Sequence, residues 1–473
     1  MKRFWLPLVA AWCTVCIMSS CLGDNDEITY YDDTAITAFA VSTVNCYQYV
    51  TSKSGTDSLV KTTISGSSYK FYIDQLNHEI YNPDSLPYGT DAAHVLCSVS
   101  TRNGGQLAIQ SMTSDTLMIF NTNDSVNFSQ PRKVFVYSNR GTSFQAYTVK
   151  VNVHQEQANA FHWNLMAEGT ELSALQGMKA IWSGGKMYVW GTANGLTTNI
   201  WATADDGASW TMHVPQWYGV LDGNAWKNVV AWNGKMYALS NGMLVATTDG
   251  TDLDVVAQAP QLKQLLAAGT GKIYGVSTDG QMTASTDGGQ TWQPETMDTG
   301  AEWLPTREVS GCLLKVAADK EEERIVVVGN RDGETYAADA NALVWGKLED
   351  YGPNAIAHSW IFYNTDSSNR NLLPRLNQLS VTTYGEGMVA LGLGGIGQCT
   401  ESPLTAIYES RDGGINWRKR SYLPLPAGID KGANALTMAA DDRQCLWIIC
   451  GGQVWRGKLN KLSWDNPQTI FTN

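Results

Sequence analysis

Thr203-Ala204-Asp205-Asp206-Gly207-Ala208-Ser209-Trp210, Ser285-Thr286-Asp287-Gly288-Gly289-Gln290-Thr291-Trp292 and Ser410-Arg411-Asp412-Gly413-Gly414-Ile415-Asn416-Trp417 are three copies of one pattern, Ser/Thr-x-Asp-x-Gly-x-Ser/Thr/Asn-Trp. These residue types suit a tight turn between two strands. The Asp carboxylate can accept backbone N–H bonds inside the turn, and the hydroxyl two residues before it can do likewise. Gly supplies a backbone angle that a Cβ would forbid, and Trp packs between neighbouring sheets. Asp205, Gly207, Trp210, Asp287, Gly289, Trp292, Asp412, Gly414 and Trp417 are therefore read as structural, and their acids are not candidates for catalysis.

A second element precedes the turns: Gly185-Lys186-Met187-Tyr188, Gly234-Lys235-Met236-Tyr237 and Gly271-Lys272-Ile273-Tyr274, each between two apolar runs, as in a hairpin between inner strands. Its tyrosines follow one another at 49 and 37 residues, which brackets the length of a four-stranded propeller blade. The eight-residue pattern resembles the Asp-box, or BNR repeat, of sialidases and other β-propellers. That resemblance implies six blades starting near Met178, Trp226, Leu262, Leu313, Leu379 and Ala433, with worn boxes at Thr247-Thr248-Asp249-Gly250 and Ala338-Asp339-Ala340-Asn341. Phe161-His162-Trp163-Asn164-Leu165-Met166 reads as a lone outer strand that completes the last blade and closes the ring, hiding its sheet edges. Seven blades are the alternative if residues 351–378 hold an irregular one rather than a long insertion.

The chain start reads as a processing segment. Lys2 and Arg3 precede an apolar run, Phe4 to Met18, too short to span a membrane comfortably. Met18-Ser19-Ser20-Cys21 resembles the lipobox of bacterial lipoproteins, which makes residues 1–20 a signal peptide and Cys21 the acylated mature N-terminus. The acidic tether that follows, within 21–33, is similar to the surface-export signals of Bacteroidetes lipoproteins. Outer-membrane anchoring, with exposure at the cell surface, is the expected location. Residues 34–156 lack the repeat and alternate apolar and polar positions, as in Ala146-Tyr147-Thr148-Val149-Lys150-Val151-Asn152-Val153, which reads as a β-sandwich. They resemble the Ig-like modules of such lipoproteins and are expected to form a stalk. The polar stretch His154 to Ala160 reads as the linker, so the expected organisation is all-β, an Ig-like sandwich at 34–156 and an Asp-box β-propeller at 157–473.

Charge argues against nucleic acid as a partner. The formal net charge is −12, and loss of Lys2 and Arg3 with the leader makes it −14; an acidic surface repels phosphate backbones. Cys13 and Cys16 leave with the leader and Cys21 is acylated, so six of the nine cysteines remain, at 46, 97, 312, 399, 445 and 450. They show no metal spacing. Cys445 and Cys450, five apart in a strand, fall on opposite faces and are read as unbridged buried thiols.

In a propeller, ligands meet the face that holds the blade-to-blade connections and middle hairpin loops. Its expected loops are 214–225, 295–311, 350–378 and 393–405, bearing Trp217, Tyr218, Trp303, Arg307, Tyr351, His358, Trp360 and Arg375 as candidate ligand-binding residues. Exposed aromatics stack on sugar faces, whereas buried ones anchor their loops. Sialidase chemistry would require three clustered arginines, a Tyr-Glu nucleophile pair and an Asp acid/base, and the Arg-Ile-Pro signature is absent. Asp222, Glu302, Glu308, Asp350 and Glu401 lie in these loops, but nothing selects a carboxylate pair. His358 has no second ligand nearby, so no metal and no cofactor are expected. The reading is a monomeric lipoprotein whose propeller binds a glycan or an envelope protein without catalysis, with its lipid as its membrane contact. A surface glycoside hydrolase and an envelope assembly factor are the alternatives.

Overall fold

The computed structural model describes residues 30–51, 57–213, 219–258, 260–316, 321–364 and 368–463. The leader, Cys21, Trp217 and Tyr218 lie outside the described residues. The described chain contains strands and short 3-10 turns, with no α-helix among them, and separates into two compact units divided between residues 157 and 158.

The N-terminal unit is built on a six-stranded sheet with two further strand pairs, Ile36–Val41 with Cys97–Thr101 and Thr43–Thr51 with Asp57–Ser65. The sheet is mixed, because Phe144–Lys150 pairs antiparallel with Arg132–Tyr137 and parallel with Glu79–Tyr81. Strand alternation buries one side chain in two, so Val134, Val136, Tyr147 and Val149 meet Ile36, Phe39 and Val41 in one core. Asn82 and Asn152, both fully buried, bond to each other: Asn152 N donates to Asn82 Oδ1 at 2.6 Å and Asn82 Nδ2 donates to Asn152 O at 2.9 Å.

Among the described residues the second unit holds six four-stranded antiparallel sheets. Sheet one is Gly177–Ser183, Lys186–Thr192, Asn199–Thr203 and Thr211–His213; sheet two is Val229–Trp232, Lys235–Ser240, Met243–Thr247 and Asp254–Gln258. Sheet three is Leu262–Ala268, Ile273–Ser277, Met282–Ser285 and Gln293–Pro294; sheet four is Arg307–Lys315, Glu322–Asn330, Leu343–Asp350 and Ile361–Phe362. Sheet five is Ser380–Tyr384, Gly387–Leu391, Tyr408–Ser410 and Arg418–Lys419. Sheet six takes Leu436–Ala440, Leu446–Cys450 and Gln453–Leu459 from the chain end and its outer strand, Phe161–Ala167, from the start of the unit. The first strands touch in a closed cycle, one to two and onward to six and back to one, so their inner edges face one another around a channel.

Side chains stitch that cycle. Thr437 Oγ1 accepts Ala180 N at 2.8 Å, Ser380 Oγ accepts Met438 N at 2.9 Å, Ser310 Oγ accepts Val381 N at 3.1 Å and Asn228 Oδ1 accepts Leu265 N at 3.3 Å. Each supplies a partner for a first-strand N–H group that the sheet ladder does not use.

All three eight-residue turns join third to fourth strands and share one bonding scheme. Asp205 Oδ1 accepts Ser209 N at 2.9 Å and the Thr203 hydroxyl at 2.8 Å, while Thr203 Oγ1 takes Gly207 N at 3.0 Å; Asp287 and Asp412 repeat it. These bonds to the ionised carboxylate hold Asp205 down to about 2. The glycines meet two demands at once. Gly207, Gly289 and Gly414 have φ of 94°, 95° and 99°, and a Cβ on each would press within 2.6, 2.2 and 2.8 Å of Trp447, Leu244 and Val344 on the preceding sheet.

Three expectations are corrected. Ala338-Asp339-Ala340-Asn341 is not a worn box, because it lies between the second and third strands of sheet four. The first strand of that sheet begins at Arg307 rather than near Leu313. Residues 351–378 do not form one insertion: Ile361–Phe362, the outer strand of sheet four, divides them.

Candidate functional site

Antiparallel order places first-to-second hairpins and third-to-fourth turns at one end of each sheet, the box end. Second-to-third loops and sheet-to-sheet connections fall at the other, the connection end. Met178, Lys179, Val309, Leu379 and Leu436, all at the starts of first strands, line one small cavity, which fixes the connection end as a single mouth.

Residues 351–360 therefore lie at the box end, and with them Tyr351, His358 and Trp360, which separates these three from Trp303, Arg307 and Arg375. Tyr351 is a loop anchor: its hydroxyl donates to Glu323 Oε1 at 2.6 Å and accepts Gly271 N at 3.2 Å. Itself exposed, it borders a largely buried polar seam between sheets three and four. Lys347 pairs with Glu295 and, at 2.8 Å, with Glu349; Lys272 pairs with Glu349 at 3.0 Å, and the Tyr274 hydroxyl donates to Glu349 at 2.7 Å. Burial opposes the charge on Glu349, and the bonds from Lys347, Tyr274 and Lys272 outweigh it, leaving the carboxyl below its usual range.

Trp360 is no shelf for a sugar either. It is fully buried and packs edge-on against Tyr274, ring centroids 5.3 Å apart. At the connection end, Arg375 is 1% exposed and donates to the carbonyls of Tyr336 at 2.6 Å and Arg331 at 3.0 Å. Arg331 lies between Trp303 and Tyr336, 4.2 and 3.8 Å from their ring centroids, and pairs with Asp339 at 2.7 Å. Trp303 and Arg375 thus fold the 331–342 loop rather than offer themselves to a ligand. Arg307, at the mouth end of its strand, is exposed.

What the mouth does present centres on the 3-10 turn Ala225–Asn228. That turn enters ahead of sheet two and packs against the first strands of sheets one, three and four. Trp226 fits where Gly177 lacks a Cβ, which would otherwise sit 2.3 Å from its ring. The Lys227 ammonium lies 5.5 Å from the Trp226 ring centroid and donates to Asn224 Oδ1 at 2.9 Å. Burial and the neighbouring Arg307 lower its basicity, against the pull of Glu308 and Asp222. Beside it opens a polar cavity of about 440 Å³ lined by Asp222, Asn224, Lys227, Asn228, Asn241 and Lys263, among others. The smaller cavity at the throat, about 30 Å³, is lined by Lys179, Trp226, Lys227, Glu308 and Gln378, among others.

Backbone strain gathers at the same rim. Gln261, Glu308 and Gln378 hold φ of 59°, 48° and 51° at corresponding positions near the starts of the first strands of sheets three, four and five. Left-handed backbone costs a non-glycine residue about 1 kcal/mol or more, so three such residues in register mark a rim where side chains are kept despite their conformation.

The carboxylates at this end are individually committed. Asp222 accepts Asn224 N at 2.8 Å and Asn241 N at 2.6 Å, Glu308 accepts Asn330 Nδ2 at 2.9 Å, and Glu401 pairs with Lys419 at 3.2 Å. Asp222 and Glu308 line different cavities. Asp350 accepts Gly352 N in the box-end loop, and Glu302 lies in the short turn Ala301–Trp303. Among the described residues no group of His, Cys, Asp and Glu is arranged to hold a metal ion, and no helix is long and apolar enough to cross a membrane.

Sequence reasoning missed Trp226, Lys227 and Lys179. Trp226-Lys227-Asn228 directly ahead of an inner strand was the available signal, read there only as the start of a repeat.

Residues 157–467 match the DUF6242 beta propeller domain, and residues 39–151 match the domain of unknown function (DUF6242) N-terminal domain. A curated relative, a xyloglucanase of Paenibacillus sp, is 24% identical over 295 residues, 57% of this chain; the chain spans a quarter (25%) of that protein's length. Among solved structures, YCF48 from Cyanidioschyzon merolae is 14% identical, with a TM-score of 0.33 over 63% of this chain and 98% of its own. The SapL1 lectin in complex with alpha methyl fucoside is 13% identical, with a TM-score of 0.37 over 60% and 91%. The chain is a β-propeller protein belonging to the DUF6242 family.

Proposed function

We propose that this chain is a lipid-anchored cell-envelope protein whose propeller, read as six Asp-box blades carried on an Ig-like stalk, binds a glycan at the connection-end mouth without catalysis. The observation that supports the reading best is the mouth itself. Lys227 lines both a polar cavity of about 440 Å³ rich in amides and ammonium groups, donors and acceptors suited to hydroxyl groups, and the throat cavity, where the half-buried Trp226 ring lies and tryptophan can cover the apolar face of a sugar ring. The distant similarity to a xyloglucanase points to the same substrate class. Binding is favoured over hydrolysis because Asp222 and Glu308 are each held by their own neighbours and do not share a cavity, whereas two carboxylates must flank one glycosidic bond. Acylation at Cys21 places the protein at the outer membrane, on the cell surface, as a monomer held by its lipid.

A glycan array probed with the full chain, followed by calorimetry on the hits, tests the reading. Binding to one glycan class is expected, with Trp226→Ala weakening it about tenfold or more and leaving the unfolding midpoint of the N-terminal unit unchanged. A blank array, or hits indifferent to Trp226→Ala and Asn228→Ala, would turn the assignment toward a protein partner. Release of reducing sugar from a bound glycan would restore the hydrolase alternative.

A further inference from the structure

Beneath the mouth the lumen narrows to a lining of first-strand residues from all six sheets, a cavity of about 290 Å³ walled by Ala180, Val230, Ala267, Gly311, Val381 and Ala439, among others. Lys179 is the one charged side chain in that lining. It is shared with the throat cavity of about 30 Å³ above, so its ammonium stands where mouth and lumen meet. From sheet one it crosses to sheet four and donates to the Val309 carbonyl at 3.2 Å. Among the described residues that is its one hydrogen-bond partner, and no carboxylate lies within ion-pair distance of it.

An ammonium withdrawn from water is costly unless a counter-charge or several acceptors replace the hydration it loses. One carbonyl satisfies one of its three donors. Lys179 is partly exposed to the channel, in a wall otherwise made of aliphatic, Gly, Met, Trp and hydroxyl residues, and its remaining donors can be offered to a small anion. The throat sets the size of that anion. A volume of about 30 Å³ holds roughly two waters, the bulk of a carboxylate group and less than that of a sugar ring.

We infer that Lys179 is the anchor of a carboxylate subsite at the throat, taking the acid group of a uronic-acid residue whose ring lies above it against Trp226 and Lys227. This rests on the glycan-binding reading and narrows its substrate class to acidic sugars. The charges facing the throat are Lys179, Lys227 and Glu308, with Arg307 close by on the rim and the Cys312 thiol beneath. Glu308 is the opposing charge, and it is drawn aside by Asn330 Nδ2. Burial holds Lys179 down to about 8 and the Cys312 thiol up to about 12, so near neutrality the pair is an ammonium beside a neutral thiol. A bound carboxylate stabilises the ammonium and raises its titration midpoint.

The test uses the full chain with its lysines reductively methylated with ¹³C, the Lys179 signal being assigned by its loss in Lys179→Met. Glucuronate- and galacturonate-containing oligosaccharides are compared with neutral gluco-oligosaccharides of equal length. The acidic series is expected to raise the Lys179 midpoint and to lose about tenfold or more in affinity on Lys179→Met, with Lys179→Arg retaining most of it and the neutral series unaffected. Lys179→Met removes a charge from a largely apolar wall, so folding is not at risk, and an unchanged thermal midpoint verifies that. Neutral oligosaccharides that bind as well as acidic ones and depend on Trp226 overturn the carboxylate subsite alone. If neither series binds and no signal moves, the glycan-binding reading falls with it.

Discussion

At the scale of single residues, the same residue type does opposite things according to its partners. Asp205, Asp287 and Asp412 stand out in the sequence as acids, yet each is occupied by hydroxyl and N–H donors of its own turn. Lys179 does not stand out at all, and its surroundings leave it nearly alone. The turn aspartates carry a pH signature. Hydrogen bonds to the ionised form depress Asp412 below its model-peptide value, against the opposing effect of burial. A depressed carboxyl gives stability that is complete above the unfolded-state value near 4 and is lost as the pH falls through the folded value. Asp412→Ala is expected to lower stability by about 1–2 kcal/mol at pH 7, once solvent screening is allowed for, and to cost progressively less below about pH 4. Urea titrations at pH 7 and pH 3 measure both, and an equal loss at the two pH values would contradict the ionised-acceptor role.

At the scale of elements, the contacts that decide packing lie between sheets. The seam of Glu295, Lys347, Glu349, Lys272 and Tyr274 joins the second strand of sheet three to the third of sheet four. Removing one member of a buried ion network leaves the others uncompensated. Glu349→Gln is therefore expected to destabilise the propeller by about 3 kcal/mol at neutral pH. Because the Glu349 carboxyl is depressed, its contribution is present above the unfolded value near 4.5 and is lost as the pH falls through the folded value, so the thermal midpoints of wild type and variant should draw together on acidification. The 331–342 loop shows the same logic with other chemistry. Arg375 feeds main-chain carbonyls and Arg331 stacks between two aromatic rings, so Arg375, which the sequence offers to a ligand, is consumed together with Arg331 in shaping a loop.

At the scale of the whole molecule, closure of the ring depends on two kinds of bond. The outer strand Phe161–Ala167 pairs with Gln453–Leu459 across the ends of the unit, and hydroxyl groups pin first strand to first strand around the channel. Ser380 is the clearest of these, since its Oγ accepts Met438 N and donates to Met438 O within the buried ring. Ser380→Ala should leave Met438 N–H unsatisfied at about 1–3 kcal/mol, read as a lower urea midpoint of the propeller transition with an unchanged slope. A fall in slope instead would mean that the ring had stopped unfolding as one unit.

Short-range chemistry was open to reading from the sequence because its causes are local. Three turns follow from the spacing of Asp, Gly and Trp, and three hairpins from Gly-Lys-Met/Ile-Tyr, since a turn's donors and acceptors lie within eight residues of each other. The propeller expectation follows from their repetition. Where a segment lacked such local chemistry the reading slipped: the 338–341 stretch has an Asp and an Asn but joins the wrong pair of strands, and Tyr351 and His358 sit at the end opposite to Arg307 because a two-residue outer strand, Ile361–Phe362, intervenes. The mouth was decided by tertiary structure. Lys179, Trp226, Glu308 and Gln378 are scattered over two hundred residues and meet only because the first strands of the sheets converge on one axis, and burial, which separates an anchoring tryptophan from a binding one, is a property of that convergence and not of any stretch of sequence.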